Sequence, residues 1–262
     1  MTTASTVLIT GASTGIGAAY ADRFARRGHD LVLVARDEAR LEKTAQHLRQ
    51  THGIRVAILA ADLTRQDDLA KVEERLREDA QIGILVNNAG AAQAGSFVSQ
   101  TPEKLAQLVT LNTTAVTRLA AAIAPRLAAA GEGAIVNIGS VVGLAPAFGM
   151  SVYGATKAFV LFLSQGLSHE LSPKGVYVQA VLPATTRTGL WGRAGVDIDT
   201  LPEVMDVGEL VDAALVGFDR REPVTIPPLH DASRWDELES ARQALLGQLR
   251  QSHAAERYRS PS

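Results

Sequence analysis

The chain has 262 residues, of which 46% are hydrophobic, and its formal net charge is −2. This length and hydrophobic content can fill a substantial core, whereas the near-neutral charge gives no broad attraction to nucleic acid or to an anionic membrane. The absence of cysteine excludes disulfides, thiolate metal sites and a cysteine nucleophile. We therefore predict a small-molecule partner, no nucleic-acid partner and no metal.

The N-terminal segment Met1–Thr6 is polar and leads directly into the apolar Val7–Ile9, which leaves no room for a cleavable signal. No apolar run is long enough to span a membrane. The sequence therefore predicts a cytoplasmic protein without a membrane partner.

Short apolar runs rich in β-branched residues alternate with longer amphipathic runs along most of the chain. Several of the short runs are apolar throughout, as strands covered by helices on both faces should be. This alternation predicts an α/β fold, a single doubly wound Rossmann-type domain over residues 1–262 with a mostly parallel seven-stranded sheet. The predicted strands are 6–10, 30–36, 55–61, 83–88, 133–139, 176–182 and 223–227, and the predicted helices are 15–27, 38–50, 66–79, 102–130, 151–172 and 207–220.

Two segments depart from this alternation. Residues 185–206 combine glycines and threonines with apolar residues, which predicts a long loop that covers a site as a lid; the alternative is a surface excursion packed for stability. Residues 231–258 are charged, with apolar residues at near-helical spacing, and predict a C-terminal helical extension.

The first strand is followed by the glycine pattern Gly11-x-x-x-Gly15-x-Gly17 and then by a helical pattern. A tight turn that leads into a helix N-terminus offers free N–H groups and the positive end of the helix dipole to an anion. Glycine also lets a pyrophosphate approach the backbone closely. The loop therefore predicts a phosphate site, the alternative being a glycine-rich turn without a ligand.

Tyr153 and Lys157 are four residues apart, so a helix over 151–172 places them one turn apart on the same face. A free tyrosine has a pKa of about 10, and an adjacent cation is expected to lower the pKa of Tyr153 toward a range useful for acid–base chemistry. Ser140 precedes Tyr153 by thirteen residues.

Four motifs in this order, Thr10-Gly-x-x-x-Gly-x-Gly17, Asn87-Asn-Ala-Gly90, Ser140 and Tyr153-x-x-x-Lys157, resemble those of the short-chain dehydrogenase/reductase family. The resemblance spans residues 6 to about 228. It implies that Tyr153 donates or accepts the proton at a carbonyl or alcohol oxygen, and that Ser140 holds that oxygen. It further implies that Lys157 lowers the pKa of Tyr153 and binds the nicotinamide ribose, and that Asn112 bends its helix and holds a relay water. Read without the resemblance, Ser140 could cap the strand end, and Asn112 could be a buried residue bonded to backbone.

The resemblance also implies a nicotinamide dinucleotide cofactor. Because Arg36, rather than a carboxylate, follows the second strand, the sequence favours NADP(H) over NAD(H). Asp62 matches the aspartate that binds adenine in the family, with a helix-cap role near Thr64 as the alternative. The predicted cofactor-binding residues are Gly11, Ser13, Thr14, Gly15, Ile16, Gly17, Arg36, Asp62, Leu63, Asn88, Ala89, Gly90, Tyr153, Lys157, Pro183, Thr186 and Thr188.

One position departs from the family pattern, because Ala184 follows Pro183 where glycine is usual. A positive φ at this position would strain alanine and shift Thr186 and Thr188.

The substrate pocket implied by the resemblance is apolar, which favours a neutral ketone or aldehyde. Its predicted lining residues are Val142, Phe148, Leu190 and Trp191. Helices 102–130 and 151–172 are apolar on more than one face, and the family pairs them across a two-fold axis, so we predict a homodimer or a homotetramer.

These features together predict an NADP(H)-dependent oxidoreductase that interconverts a carbonyl and an alcohol. One alternative is a 3-oxoacyl thioester reductase, which shares the same motifs. Another is a non-catalytic NADP-binding regulator. The presence of all four residues Asn112, Ser140, Tyr153 and Lys157 argues against it, because a non-catalytic protein has no chemical reason to retain them.

Overall fold

The computed structural model describes residues 5–93, 95–148 and 150–259. The chain divides into two compact units, one that ends at Pro227 and one that begins at Pro228. The first four residues of the polar N-terminal segment, Met1–Ala4, lie outside the described residues.

A parallel sheet of seven strands forms the centre of the first unit, which confirms the predicted fold class. The strand order is β3-β2-β1-β4-β5-β6-β7, so the connection reverses direction between β1 and β4. Ligands bind at such a reversal point, beyond the carboxyl ends of the strands. The strands are β1 Thr6–Thr10, β2 Leu31–Ala35, β3 Val56–Ala60, β4 Ile82–Asn87, β5 Ala134–Ile138, β6 Tyr177–Val181 and β7 Val224–Thr225.

The last strand is shorter than the predicted 223–227. It pairs with β6 through Val224 and Thr225 only. Pro223 and Pro227 flank the pair, and proline has no N–H to contribute to a strand ladder.

Helices cover both faces of the sheet. Val7 and Ile9 of β1 point into one apolar cluster and Leu8 into the other, as the alternation of side chains along a strand requires. The helices are α1 Gly15–Arg26, α2 Glu38–His52, α3 Gln66–Glu78, α4 Pro102–Val109, α5 Val116–Ala130, α6 Ser151–Leu171, α7 Leu190–Arg193, α8 Val207–Asp219 and α9 Ser233–Leu249.

The predicted single helix over 102–130 is wrong in its middle, where the π-helical turn Thr110–Ala115 separates α4 from α5. The hydroxyls of Thr110, Thr113 and Thr117 each donate to the carbonyl four residues earlier, at 2.6–3.0 Å. Such back-bonding bends helices, and wide turns of this kind are frequent at functional sites.

The segment 185–206 is a loop that contains the short helix α7 and is closed at its base. Met205 donates its N–H to the Thr185 carbonyl and accepts the N–H of Arg187, both at 2.9 Å. The Trp191 indole N–H donates to the Thr186 carbonyl at 3.0 Å. The loop is therefore an internally bonded unit rather than an unstructured connection.

The unit that begins at Pro228 contains α9 and a short 3₁₀ turn at Glu256–Tyr258. The predicted extension over 231–258 is thus helical in its first part only. None of the described helices is long and apolar enough to cross a membrane.

Candidate active site

Five of the predicted site segments follow the carboxyl ends of strands, whereas Asn112, Tyr153 and Lys157 lie in helical segments. The glycine loop follows β1, Arg36 follows β2, Asp62 follows β3, Ser140 follows β5 and Pro183 follows β6. Because the strands are parallel, these ends share one edge of the sheet. The topology therefore brings segments that are distant in sequence to one side of the molecule.

The N-terminus of α1 is suited to an anion. Its N-cap residue Thr14 makes no side-chain hydrogen bond to the helix, and the first turn contains no acidic residue. The first N–H groups of a helix have no partner within it, so they are available to a ligand. Gly11 and Gly15 have φ of +67° and +59°, which glycine adopts without strain.

Glycine at position 17 is needed for packing as well. A Cβ on this residue would meet the Gly11 carbonyl oxygen and stand 2.5 Å from Asn88 Nδ2. A Cβ on Gly15 would stand 3.2 Å from the Thr188 side chain, so Thr188 lies directly over the loop. These residues fit a dinucleotide phosphate, with Gly15 to Gly17 supplying N–H groups and Thr188 closing the site.

Asn88 fixes the glycine loop to the end of β4. Its side-chain amide donates to the Thr10 carbonyl at 2.8 Å and to the Gly11 carbonyl at 3.3 Å. The Thr10 hydroxyl in return accepts the N–H groups of Asn88 and Ala89, both at 3.0 Å. The side chain of Asn88 thus supports the backbone that forms the predicted cofactor site.

The Ser140 hydroxyl is close enough to Tyr153 to act on the pKa of its phenol, and its own hydrogen bond goes to the Pro183 carbonyl. Both side chains are buried. Burial raises the pKa of Tyr153 to about 12, and the neighbouring Ser140 hydroxyl offsets this only in part. This direction is opposite to the one predicted from the spacing of Tyr153 and Lys157, because desolvation disfavours the phenolate more than its neighbours stabilise it.

Ser140 is held in place by the loop that carries it. Its hydroxyl donates to the Pro183 carbonyl at 3.2 Å and accepts the Val142 N–H at 3.3 Å, so it also caps the turn Val141–Gly143. A Cβ on Gly143 would stand 2.7 Å from the Lys157 carbonyl carbon. This close approach between loop and α6 fixes Ser140 beside Tyr153.

Lys157 is buried beneath the same site. Its ammonium group donates to the Ile138 carbonyl at 2.8 Å and lies 5.8 Å from the centre of the Tyr153 ring. Burial lowers the pKa of Lys157 to about 8. An ammonium has three donors, so Lys157 retains donors for a ligand after bonding Ile138.

Asn112 is fully buried in the π-helical turn and bonds the loop after β4. Its amide donates to the Ala91 carbonyl at 2.9 Å and to the Thr156 hydroxyl at 3.1 Å, and its oxygen accepts the Ala91 N–H at 3.0 Å. A Cβ on Gly90 would stand 3.4 Å from this oxygen and 3.7 Å from Lys157 Nζ. Asn112 therefore joins the β4 loop to α6 next to the lysine.

Arg36 is exposed at the end of β2 and makes no ion pair with any residue in the described parts of the chain. The adjacent Asp37 is instead the N-cap of α2, where its carboxylate accepts the Arg40 N–H at 3.0 Å and pairs with the Arg40 side chain. The acidic residues after β2 are thus explained by helix capping, and the guanidinium of Arg36 stays available to a phosphate.

Asp62 bonds locally. Its carboxylate accepts the N–H of Thr64 at 3.0 Å and the hydroxyl of Thr64 at 2.7 Å, which closes a local turn before α3. These bonds do not cap the helix, whose N-cap residue is Arg65. One carboxylate oxygen takes both bonds. Leu63 beside it is buried.

Alanine at position 184 is unstrained, since it is not among the described residues with positive φ. The Ala184 carbonyl accepts the Thr186 hydroxyl at 3.0 Å. The Thr188 hydroxyl accepts the Leu190 N–H at 3.4 Å. The replacement of the usual glycine therefore leaves this segment ordered over the site.

The four predicted pocket residues differ in exposure. Val142, Leu190 and Trp191 are half-buried, whereas Phe148 is 58% exposed. In the lid, Arg187 pairs with Asp199 at 2.6 Å. The site therefore offers apolar surface, and the charge of Arg187 is already neutralised.

Two contributors to the site carried no predicted role. Thr156 accepts from Asn112 and donates to the Tyr153 carbonyl at 2.7 Å, so it connects the π-helical turn to α6. The Ile138 carbonyl anchors Lys157. The sequence contains one signal for the role of Thr156. It lies three residues after Tyr153 in the predicted helix, and a hydroxyl at this spacing can donate to the Tyr153 carbonyl.

A family model described as short chain dehydrogenase matches residues 5–198. Among solved structures, a short-chain dehydrogenase from Sphingobium yanoikuyae in complex with NADPH is 72% identical, with a TM-score of 0.96 over 97% of this chain and 100% of that chain. A bulky-bulky ketone specific alcohol dehydrogenase from Comamonas testosteroni is 63% identical, with a TM-score of 0.93 over 99% of this chain and 100% of that chain.

Curated relatives are more distant. The very-long-chain 3-oxoacyl-CoA reductase-A of Danio rerio is 36% identical over 180 residues, which cover 67% of this chain and 56% of the relative. The chain therefore spans little more than half the length of this relative.

Proposed function

The chain belongs to the short-chain dehydrogenase/reductase family, and from this we propose that it is an NADP(H)-dependent oxidoreductase that reduces a ketone or aldehyde to an alcohol, or catalyses the reverse. The observation that carries the proposal is that Ser140, Tyr153 and Lys157 are buried side by side at the sheet edge that also carries the glycine loop. A carbonyl oxygen placed between the two hydroxyl groups would meet Ser140 to hold it and Tyr153 to protonate it.

NADPH, when bound, supplies a hydride to the carbonyl carbon, and the proton comes from Tyr153. With a pKa raised to about 12, the Tyr153 phenol is protonated near neutrality and is ready to donate. Lys157 is proposed to bind the ribose with its free donors, and Asn112 to hold the loop and helix around it. Hydrogen bonding by Ser140 orients the carbonyl and stabilises the charge that develops on its oxygen.

The proposed preference for NADP(H) is supported by Arg36 and by the NADPH found in the 72% identical relative. Arg36 is exposed and without an ion-pair partner among the described residues, so it can bond a 2′-phosphate. Asp37 does not oppose this role, because it is engaged as a helix cap.

The proposed substrate is a neutral ketone with bulky apolar groups. Val142, bonded to Ser140, and the half-buried Leu190 and Trp191 of the loop 185–206 are the proposed apolar lining, and Arg187 is paired with Asp199 rather than free to receive a carboxylate. The 63% identical relative is a bulky-bulky ketone specific enzyme, which supports the same class.

A 3-oxoacyl thioester is the second candidate substrate, supported by the similarity to the 3-oxoacyl-CoA reductase of Danio rerio. A panel of diaryl and long dialkyl ketones, small aldehydes and 3-oxoacyl thioesters, followed by NADPH oxidation, separates the two. We expect the highest kcat/KM with a bulky ketone. A higher kcat/KM with the thioesters would replace the ketone assignment.

We also propose a homodimer formed through the outer face of α6. Phe159 and Phe162 of this face are 41% and 70% exposed. Burial of such apolar surface against a second copy would stabilise the assembly. The cytoplasmic location predicted from the sequence stays a prediction.

A further inference from the structure

The loop 185–206 lies between two attachments, and the first of them is the proposed active site. The Pro183 carbonyl, just before the loop, accepts the Ser140 hydroxyl at 3.2 Å. Within the loop, the Thr188 side chain lies 3.2 Å from the position that a Cβ on Gly15 would occupy. Ser140 thus fixes the start of the loop, whereas its end leads directly into α8 and is held by a different contact.

The helices α1 and α8 lie side by side and run in the same direction. Two arginines of α1 each make a bidentate pair with an aspartate of α8. Arg23 bonds Asp212 at 2.7 and 3.1 Å, and Arg27 bonds Asp219 at 2.8 and 2.9 Å. Because the earlier arginine pairs with the earlier aspartate, the N-termini of the two helices lie at the same end. The end of the loop 185–206 is therefore on the same side as the glycine loop at the start of α1.

The Arg23 guanidinium bridges the two helices in a fixed orientation. Its Nε and Nη2 donate to Asp212 of α8, and its Nη1 donates to Asp22 of α1 at 2.7 Å. All three nitrogens thus have carboxylate partners, and the side chain is only 22% exposed. Bidentate pairs of this kind fix geometry as well as contributing energy.

Arg23 also contacts the first turn of α8. Leu210 is the first residue of this helix that is buried, so residues 207–209 are not part of the buried core. A Cβ on Gly208 would stand 3.0 Å from Arg23 Nη2 and 3.0 Å from the carboxylate of Asp206, which caps the helix. The guanidinium therefore packs against the residues that directly follow the loop.

The Arg27 pair joins the same helices at their other end. Arg27 directly follows the last residue of α1, and Asp219 is the last residue of α8. At 1.5 Å per residue, Asp219 lies about 18 Å along the helix from its start. This pair therefore has the same chemistry as the Arg23 pair but lies far from the loop.

We propose that Arg23 is a positioning residue: it holds the first turn of α8 against α1 and so keeps the loop 185–206 folded over the glycine loop. Its role rests on the proposed function in one respect, namely that the glycine loop binds NADP(H). With Ser140 at one end of the loop and Arg23 at the other, Thr188 is kept beside Gly15. Arg23 acts through α8 and is not among the residues proposed to contact cofactor or substrate.

The first experiment is limited digestion of the full-length protein by trypsin, with the fragments identified by mass spectrometry. Arg187 and Arg193 are exposed within the loop, whereas Lys157 is buried. Cleavage after the two arginines therefore reports opening of the loop, and cleavage after Lys157 reports global unfolding. Arg23→Met is expected to raise the rate of cleavage in the loop about 2–30-fold, without cleavage after Lys157. The matched control, Arg27→Met, should keep the wild-type rate, and equal loop cleavage in the two variants would overturn the proposal.

The second experiment separates binding from catalysis. It measures the Kd for NADPH by fluorescence, and kcat and KM with a bulky ketone. Arg23→Met is expected to raise Kd and KM about 2–30-fold and to leave kcat nearly unchanged, because Ser140 and Tyr153 stay in place. Arg23→Lys, which keeps the charge beside Asp212, should lie between Arg23→Met and the wild type, and it replaces Arg23→Met if that variant does not fold. Wild-type Kd and KM in Arg23→Met, or a loss confined to kcat, would overturn the positioning role.

A double-mutant cycle tests the route through Asp212. The Asp212 side chain is 59% exposed, so Asp212→Ala leaves no buried charge behind. This variant should reproduce the loop cleavage of Arg23→Met, and the double variant should add nothing to it. Additive effects would contradict a role through this pair.

The digestion does not depend on catalysis. A wild type that neither binds NADPH nor reduces a ketone would overturn the proposed function, whereas the cleavage rates would still decide whether Arg23 holds the loop.

Discussion

At the scale of single residues, burial shifts the pKa values of the proposed catalytic pair, Tyr153 and Lys157. The pKa of Tyr153 is raised to about 12 and that of Lys157 is lowered to about 8, both chiefly by desolvation. The Tyr153 phenol therefore stays protonated near neutral pH, which is the form that the proposed carbonyl reduction requires. Lys157 is the member of the pair that titrates near physiological pH.

The pH profile of carbonyl reduction should follow Lys157. A pKa of about 8 means that the ammonium is present below this pH and is lost above it, so kcat/KM should be flat below about pH 7 and fall up to tenfold per unit above pH 8. The measurement is kcat/KM for a ketone between pH 6 and 10. Lys157→Arg, which keeps its charge, should not show the fall near pH 8, and a wild-type profile that rises above pH 8 would contradict the assignment.

Arg36 should determine the choice between the two cofactors. Charge-assisted hydrogen bonds contribute about 1.5–3 kcal/mol, which corresponds to roughly 10–150-fold in affinity. Arg36→Asp is expected to reduce kcat/KM with NADPH by at least this factor and to improve it with NADH. Arg40→Asp is the matched control, because Arg40 is already paired with Asp37. Equal effects of the two substitutions would remove Arg36 from the phosphate site.

At the scale of secondary structure elements, the π-helical turn connects the site to its surroundings. Asn112 satisfies both backbone groups of Ala91 and the Thr156 hydroxyl. The hydroxyls of Thr110 and Thr113 in this turn, and of Thr117 just after it, donate to carbonyls four residues earlier, which favours a bend here. The irregular turn thus supplies the side chain that positions α6, which carries Tyr153 and Lys157.

Asn112→Leu should cost about 2–4 kcal/mol of folding free energy, because it leaves buried polar groups of Ala91 and Thr156 without partners. Activity should fall as well, since α6 loses its connection to the β4 loop. Urea denaturation measures the first effect and kcat/KM the second. Thr114→Ala, an exposed change in the same turn, should alter neither by much. A stable, fully active Asn112→Leu enzyme would show that the turn has no positioning role.

Substitution by alanine should have opposite effects on folding stability at two helical glycines, Gly17 and Gly166. Gly17→Ala places a methyl group against the Gly11 carbonyl and Asn88, and should cost about 1–3 kcal/mol and weaken NADPH binding. Gly166→Ala in α6 meets no atom within 4 Å and should instead stabilise the protein by about 0.5–1 kcal/mol. Thermal unfolding with and without NADPH tests both, and a Gly17→Ala enzyme that binds NADPH normally would contradict the assignment of the loop.

The periodicity of the sequence predicted the seven strands of the described sheet and six helical segments, one of which is divided by the π-helical turn, because buried parallel strands and amphipathic helices have strong patterns. The π-helical turn could not be read in this way, since it depends on bonds from Asn112 to residues 21 and 44 positions away. The direction of the pKa shift of Tyr153 was missed for a related reason: spacing reveals the neighbouring lysine, whereas burial is a property of the folded chain.

At the scale of the whole molecule, the parallel sheet gathers the site. The glycine loop, Arg36, Asp62, Ser140 and Pro183 follow strand ends, and the reversal of strand order between β1 and β4 separates the glycine loop from Ser140. The order of the motifs along the chain therefore predicted the family and its fold. The sequence did not predict which side chains bond to each other, such as Asp62 with Thr64 and Arg187 with Asp199; these pairs are visible only in the structure.

The most direct test of the account compares the wild type with Tyr153→Phe. We expect the wild type to oxidise NADPH in the presence of a bulky ketone, and Tyr153→Phe to lose about 10²–10⁴-fold in kcat/KM while binding NADPH with similar affinity. Loss of the hydroxyl removes the proton donor and leaves the ring and the cofactor loop in place. Ketone reduction by Tyr153→Phe at the wild-type rate would contradict the central claim that Tyr153 delivers the proton.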